Sequence, residues 1–147
     1  TEDNEIHYRM RKAGFRLCYT PDIISYQHTR NTLKGMLKQK YGNGYWVALT
    51  LKACPGCLAV YHFVPLAFVM AIIITTVLAV KQIPVFSIIM WSLYWMLAII
   101  MAVVSVKGKR KCWQQLLLPF LFFALHVSYG VGSLVGIIKL PFWKYKK

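Results

Sequence analysis

The chain has 147 residues, 58% of them hydrophobic, and its 18 Lys and Arg against 4 Asp and Glu give a net charge of +14. Soluble domains carry about 25% charged residues of both signs; here only 15% are charged, nearly all of one sign. That balance argues against an ordinary soluble domain and for a membrane protein whose basic residues sit between apolar runs.

In chain order, the first element is short and carries most of the acid. Glu2, Asp3 and Glu5 fall within TEDNE, and after Asp22 no Asp or Glu occurs at all. NEIHYRMRKAG spaces Ile6, Met10 and Ala13 for one apolar helix face, and Gly14 is a suitable stop. Glu5 stands one turn before Arg9, as an ion pair requires. FRLCYT (15–20) alternates Phe15, Leu17 and Tyr19 with Arg16 and Cys18, which predicts a half-buried strand. Pro21-Asp22 predicts a turn, and IISY (23–26) a second short strand. One helix and two strands in fewer than about 30 residues bury no core alone, so this remnant is expected to complete a larger sheet. The chain begins with Thr and no signal peptide precedes its first apolar run, so it is expected to be a piece of a longer protein.

From Asn31, NTLKGMLKQKYGNGYW sets Leu33, Met36 and Leu37 apart from Lys34, Lys38 and Lys40. This pattern predicts a basic amphipathic helix lying on the membrane surface, in an interfacial segment over 31–57. Three spans follow, at 58–80, 85–106 and 116–138, within a membrane region 58–147. Tyr61, Trp113, Trp143 and Tyr145 lie at their edges, where aromatic rings favour the headgroup layer. Lysines and arginines crowd the segment before the first span and the loop KGKRK (107–111), whereas KQIP (81–84) carries one lysine. Counting them places the N-terminal part and KGKRK in the cytosol. The tail KLPFWKYKK breaks this count: either the first helices dominate, or the third segment, rich in Gly, does not cross fully. Of the four cysteines only Cys54 and Cys57, in CPGC, are paired, which is short of a zinc site. His126 is a polar group inside the third span, and with Ser128, Gly130, Gly132 and Gly136 beside it, close helix packing is the economical account.

TEDNE, Arg9, Arg11, AGF (13–15), PDI (21–23), HTR (28–30) and Gln39 with GNGYW (42–46), in that order, resemble the second half of a family 2 glycosyltransferase. The type is similar to the membrane-bound exopolysaccharide enzymes of succinoglycan synthesis, and HVSYGVGSLVG (126–136) resembles the downstream membrane segment of that group. The resemblance implies an α/β fold class: the C-terminal end of a GT-A, Rossmann-like domain over 1–30, followed by the interfacial helix and three transmembrane helices. It implies inverting transfer of a sugar from a nucleotide diphosphate donor to a lipid-linked or polysaccharide acceptor, at the cytosolic face of the cell membrane.

By that resemblance Asp3 is the general base, taking a proton from an incoming hydroxyl, and Glu2 orients the loop or the acceptor. Asp3 read alone fits a helix N-cap equally. Arg30 would neutralise the departing diphosphate or be a surface charge, and His28 would meet metal or acceptor or be structural. Gln39 and Trp46 stand where processive relatives such as cellulose synthases have Q-x-x-R-W, whose tryptophan stacks on an acceptor sugar. Here the spacing is longer and Tyr45 replaces the arginine, which favours addition of a single sugar; Trp46 is alternatively an interfacial anchor. A divalent metal, Mg or Mn, is expected to be held mainly by a D-x-D motif upstream of this chain. The expected partners are a nucleotide sugar, the acceptor and membrane lipids, with no nucleic acid. The alternative is a small non-enzymatic multi-pass protein, a transport or assembly subunit with a basic cytosolic face, which leaves the clustered acids unexplained.

Overall fold

The computed structural model describes residues 2–26, 30–106 and 113–144, without the side chains of Glu2, Trp113 and Gln114. His28, the KGKRK loop, Cys112, the Trp113 ring and Tyr145 lie outside the described residues. Five α-helices follow one another: α1 (Glu2–Lys12), α2 (Leu33–Ala53), α3 (Val64–Val80), α4 (Val85–Val106) and α5 (Leu118–Lys139). Short 3-10 turns occupy Pro55–Cys57, Val60–Phe63 and Trp113–Leu117.

The α/β expectation is overturned. Among the described residues no strand forms, and both segments read as strands are irregular chain. Phe15, Tyr19, Ile23 and Tyr26 of these segments are exposed. Alternation of apolar and polar residues suits a strand, but a strand persists only beside a hydrogen-bonding neighbour, and none lies among the described residues. The turn between the two segments does form: Thr20 Oγ1 donates to Asp22 Oδ2 at 3.1 Å and accepts from the Asp22 N–H at 3.4 Å.

Local chemistry accounts for the helix ends. α1 closes where the Phe15 N–H reaches the Met10 carbonyl at 3.0 Å over Gly14, whose φ of 87° is costly for a residue with a Cβ. Thr32 caps α2, its Oγ1 accepting from the Gly35 N–H at 3.2 Å. The α3–α4 hairpin turns through Gln82, at φ 64°, and Pro84 stops α3 from continuing. Three apolar stretches are long enough to cross a membrane: Val60–Val80, Val85–Val106 and Gln115–Lys139.

The tightest packing joins α2 to α5. Gly132 lies against the Tyr41 carbonyl and Gly136 against the Tyr45 carbonyl, while Gly44 meets the Tyr129 carbonyl and Ser133 Oγ. Ser128 Oγ donates to the Leu37 carbonyl at 2.8 Å, and Lys52 Nζ to the Trp143 carbonyl at 2.8 Å. Both hydrogen bonds link residues 91 positions apart. The pairs Tyr41–Gly132 and Tyr45–Gly136 keep that offset. A constant offset means that the two helices run parallel, side by side for about 17 Å at 1.5 Å per residue up to the end of α5 at Lys139. Small residues permit this approach because no Cβ holds the backbones apart. The glycine-rich stretch of the third span is thus a helix-packing surface, and Ser133 is wholly buried in it.

The other half of α5 meets the α3–α4 hairpin through aromatic rings. Phe68 stacks on Tyr94 at 4.3 Å between centroids and stands edge-on to Phe123 at 6.3 Å. Tyr94 Oη lies 3.2 Å from His126 Nδ1, so the polar group inside this span has a hydrogen-bond partner.

Candidate functional site

Asp3 lies in the first turn of α1, exposed. Because α1 already begins at Glu2, Asp3 is inside the helix rather than its cap. Among the described residues it has no hydrogen bond or ion pair, whereas Glu5 pairs with Arg9 at 3.8 Å, as the spacing predicted. The α1 helix rests on the CPGC turn, where the Tyr8 phenol covers Gly56. Cys57 Sγ donates to the Cys54 carbonyl at 3.0 Å. Burial, then the bond with Cys54, then the negative charge of Glu5 push the Cys57 thiol up to about 11.

Arg30 sits before the opposite end of α2, its side-chain carbons lying along Gly35. Gln39 is exposed on α2. Trp46 is 51% exposed and stands edge-on to Tyr45 at 5.6 Å. The 21 residues of α2, about 31 Å of helix, separate Arg30 from the turn that carries α1. Asp3 and Arg30 are therefore near opposite ends of α2, and no hydrogen bond or ion pair joins either to Gln39 or Trp46 among the described residues. The Glu2 side chain and His28 lie outside the description.

Two features escaped the sequence reading. The first is an aromatic row on α2: Tyr41 stacks on Tyr45 at 6.5 Å, Trp46 adjoins it, and Lys139 of α5 lies 5.7 Å from the Tyr45 ring centre. The second is an open, mostly apolar groove of about 500 Å³ lined by Leu33, Lys34, Leu37, Lys38, Tyr41 and Ser128. Leu33 with Leu37, and Lys34 with Lys38, recur at four-residue spacing, so each pair lines up along α2. That spacing was legible; the partner wall on α5, 91 positions away, was not.

The groove lies beside the opening turn of α3 and near the middle of the Gln115–Lys139 stretch. Gly130, two residues past Ser128, packs on the Pro65 carbonyl in the opening turn of α3. Tyr61 and Tyr129 lie within electrostatic reach of each other. Lysine ammonium groups and tyrosine hydroxyls together suit the boundary between headgroups and hydrocarbon. No group of three or more His, Cys, Asp or Glu side chains capable of holding a metal exists among the described residues. These residues therefore do not fit a resident divalent metal.

No family model matches the chain, and no solved structure matches it. The chain is similar to the dolichyl N-acetyl-alpha-D-glucosaminyl phosphate 3-beta-D-2,3-diacetamido-2,3-dideoxy-beta-D-glucuronosyltransferase of Methanococcus voltae, with 29% identity over 139 residues. The match covers 94% of this chain but 39% of that protein, so the chain spans about two fifths of the length of the curated relative it matches. By its name the relative is a glycosyltransferase acting on a dolichyl-phosphate-linked sugar. The likeness supports the broad class, glycosyltransferase, and runs through the helices able to cross a membrane.

Proposed function

We propose that this chain is the membrane-associated part of an inverting, family 2 type glycosyltransferase. It would act on a lipid-linked sugar acceptor at the cytosolic face of the membrane, with a nucleotide diphosphate sugar as donor. The observation that carries the reading is the similarity to a dolichyl-phosphate-sugar glycosyltransferase along nearly the whole chain. The ordered motifs from TEDNE to GNGYW support the finer assignment and its setting in exopolysaccharide assembly.

In this reading the acceptor hydroxyl attacks the anomeric carbon from the face opposite the diphosphate, which inverts the configuration. Asp3 takes the hydroxyl proton as the bond forms, and Glu2 orients the acceptor. Asp3 is exposed and lies away from the α2–α5 groove, so its role as base rests on the resemblance of the TEDNE motif. Arg30, expected to meet the departing diphosphate, is separated from Asp3 by the 21 residues of α2, about 31 Å, too far for both to act at one anomeric carbon. With Asp3 and Arg30 near opposite ends of α2, the reading requires the rest of the donor site to come from residues beyond this chain. A divalent metal, where one takes part, belongs to that region, and no step here runs through it.

The test uses membranes carrying the whole protein, radiolabelled nucleotide sugars and a polyprenyl-phosphate-linked N-acetylhexosamine. Label passing into the lipid fraction, with inverted anomeric configuration by NMR, is the expected result; no transfer from any common nucleotide sugar overturns the reading. Asp3→Asn should lower turnover by about 100-fold or more, the scale of a lost general base, with membrane insertion unchanged. Wild-type turnover in that variant removes Asp3 as the base.

A further inference from the structure

We propose that the groove between the N-terminal half of α2 and Ser128 of α5 binds a polyprenyl phosphate, with its isoprene units on Leu33, Leu37 and Tyr41 and its phosphate on Lys34 and Lys38. The nature of the occupant rests on the glycosyl-transfer reading; the groove lies at the end of α2 away from Asp3, so it would hold the lipid phosphate apart from that carboxylate. Three observations converge on it. The lining is mostly apolar, yet two lysines stand one helical turn apart along its edge.

No acid answers that charge. No Asp or Glu occurs anywhere after Asp22, and the N-terminal carboxylates of α1 belong to the other end of α2. Neither Lys34 nor Lys38 has an ion-pair partner among the described residues. Both lysines are therefore open to an anion.

Position supplies the third argument. The groove opens beside Pro65 and Gly130, where α3 starts, so the apolar stretch Val60–Val80 runs on from it. The lysines attract an anionic headgroup, and the apolar residues beside them, exposed Leu33 and Tyr41 and half-buried Leu37, offer contact to the chain attached to the phosphate. Ser128 Oγ is already committed to the Leu37 carbonyl, so this wall is held in place before any ligand arrives.

The experiment uses the whole protein in nanodiscs and a tritiated polyprenyl phosphate with a diazirine on its first isoprene unit. After illumination, peptide mapping should place the label within 33–41 or 126–132. Unlabelled polyprenyl phosphate should compete, and phosphatidylglycerol at equal concentration should not. With about 1 kcal/mol from each lysine near an anionic surface, Lys34→Gln with Lys38→Gln should weaken labelling about 30-fold. Lys34→Arg with Lys38→Arg should restore it, and Lys81→Gln, in the turn between α3 and α4, should change nothing. Equal competition by phosphatidylglycerol, or labelling indifferent to the double substitution, overturns the proposal. Labelling in the groove of a protein without transferase activity upholds the site and removes the enzymatic reading. Transferase activity with label elsewhere upholds that reading and removes the site.

Discussion

Gly42 and Gly44 lie two residues apart in GNG and have opposite surroundings. An added Cβ at Gly42 would meet nothing within 4 Å, while at Gly44 it would strike the Tyr129 carbonyl of α5. Helical glycine exposes backbone and has excess freedom in the unfolded chain, so Gly42→Ala should stabilise the protein by about 0.5–1 kcal/mol. Gly44→Ala should destabilise it by about 1–3 kcal/mol, the range for forced overpacking. Thermal melts of the two variants in detergent measure the difference. Equal effects would mean that α2 and α5 are not in backbone contact. The sequence showed two glycines in a helix; which one was needed depended on a surface distant in the chain.

Among the elements, the CPGC turn couples α1 to the helices below it, and its chemistry responds to pH. The Cys57 thiol is raised from 9.0 to about 11 by burial, by Cys54 and by Glu5. Across neutral pH it stays a thiol, and only the thiolate attacks an alkylating agent. Modification of Cys57 by iodoacetamide should therefore quicken roughly tenfold per pH unit up to about 11, where mass spectrometry should show it level off. The unfolded chain releases this proton near the ordinary value, so between there and about 11 the folded state binds more protons. Stability from this group is thus lost as pH rises through that window. The helices themselves were largely legible: α1 with its Gly14 stop and the Glu5–Arg9 pair, and three apolar segments within a few residues of their expected bounds. The strands were not, because alternation at 15–20 describes a chain able to pair while saying nothing of whether a neighbour exists.

For the whole molecule, orientation follows from charge. The basic segment before the first span, with the single lysine of KQIP, places the α3–α4 turn outside the cell in our proposal. A membrane-impermeant maleimide should label Gln82→Cys in intact cells, and should label Cys18, which is exposed, only after the membrane is opened. The reverse pattern would turn the protein over and place Asp3 on the wrong side for a cytosolic nucleotide sugar. The same view bears on the third span. Part of its length faces the aromatic hairpin, and the glycine-rich part lies along α2, so α5 belongs to both the apolar bundle and the packed pair.

Membrane character, three long apolar helices and a surplus of positive charge without acid to match were determined by the sequence alone. These depend on composition and local spacing, which every residue carries with it. The parallel pairing of α2 with α5, the groove between them and the separation of Asp3 from Arg30 were decided only by tertiary structure. They depend on contacts between residues up to 91 positions apart, where a missing Cβ has meaning only once its neighbour is known.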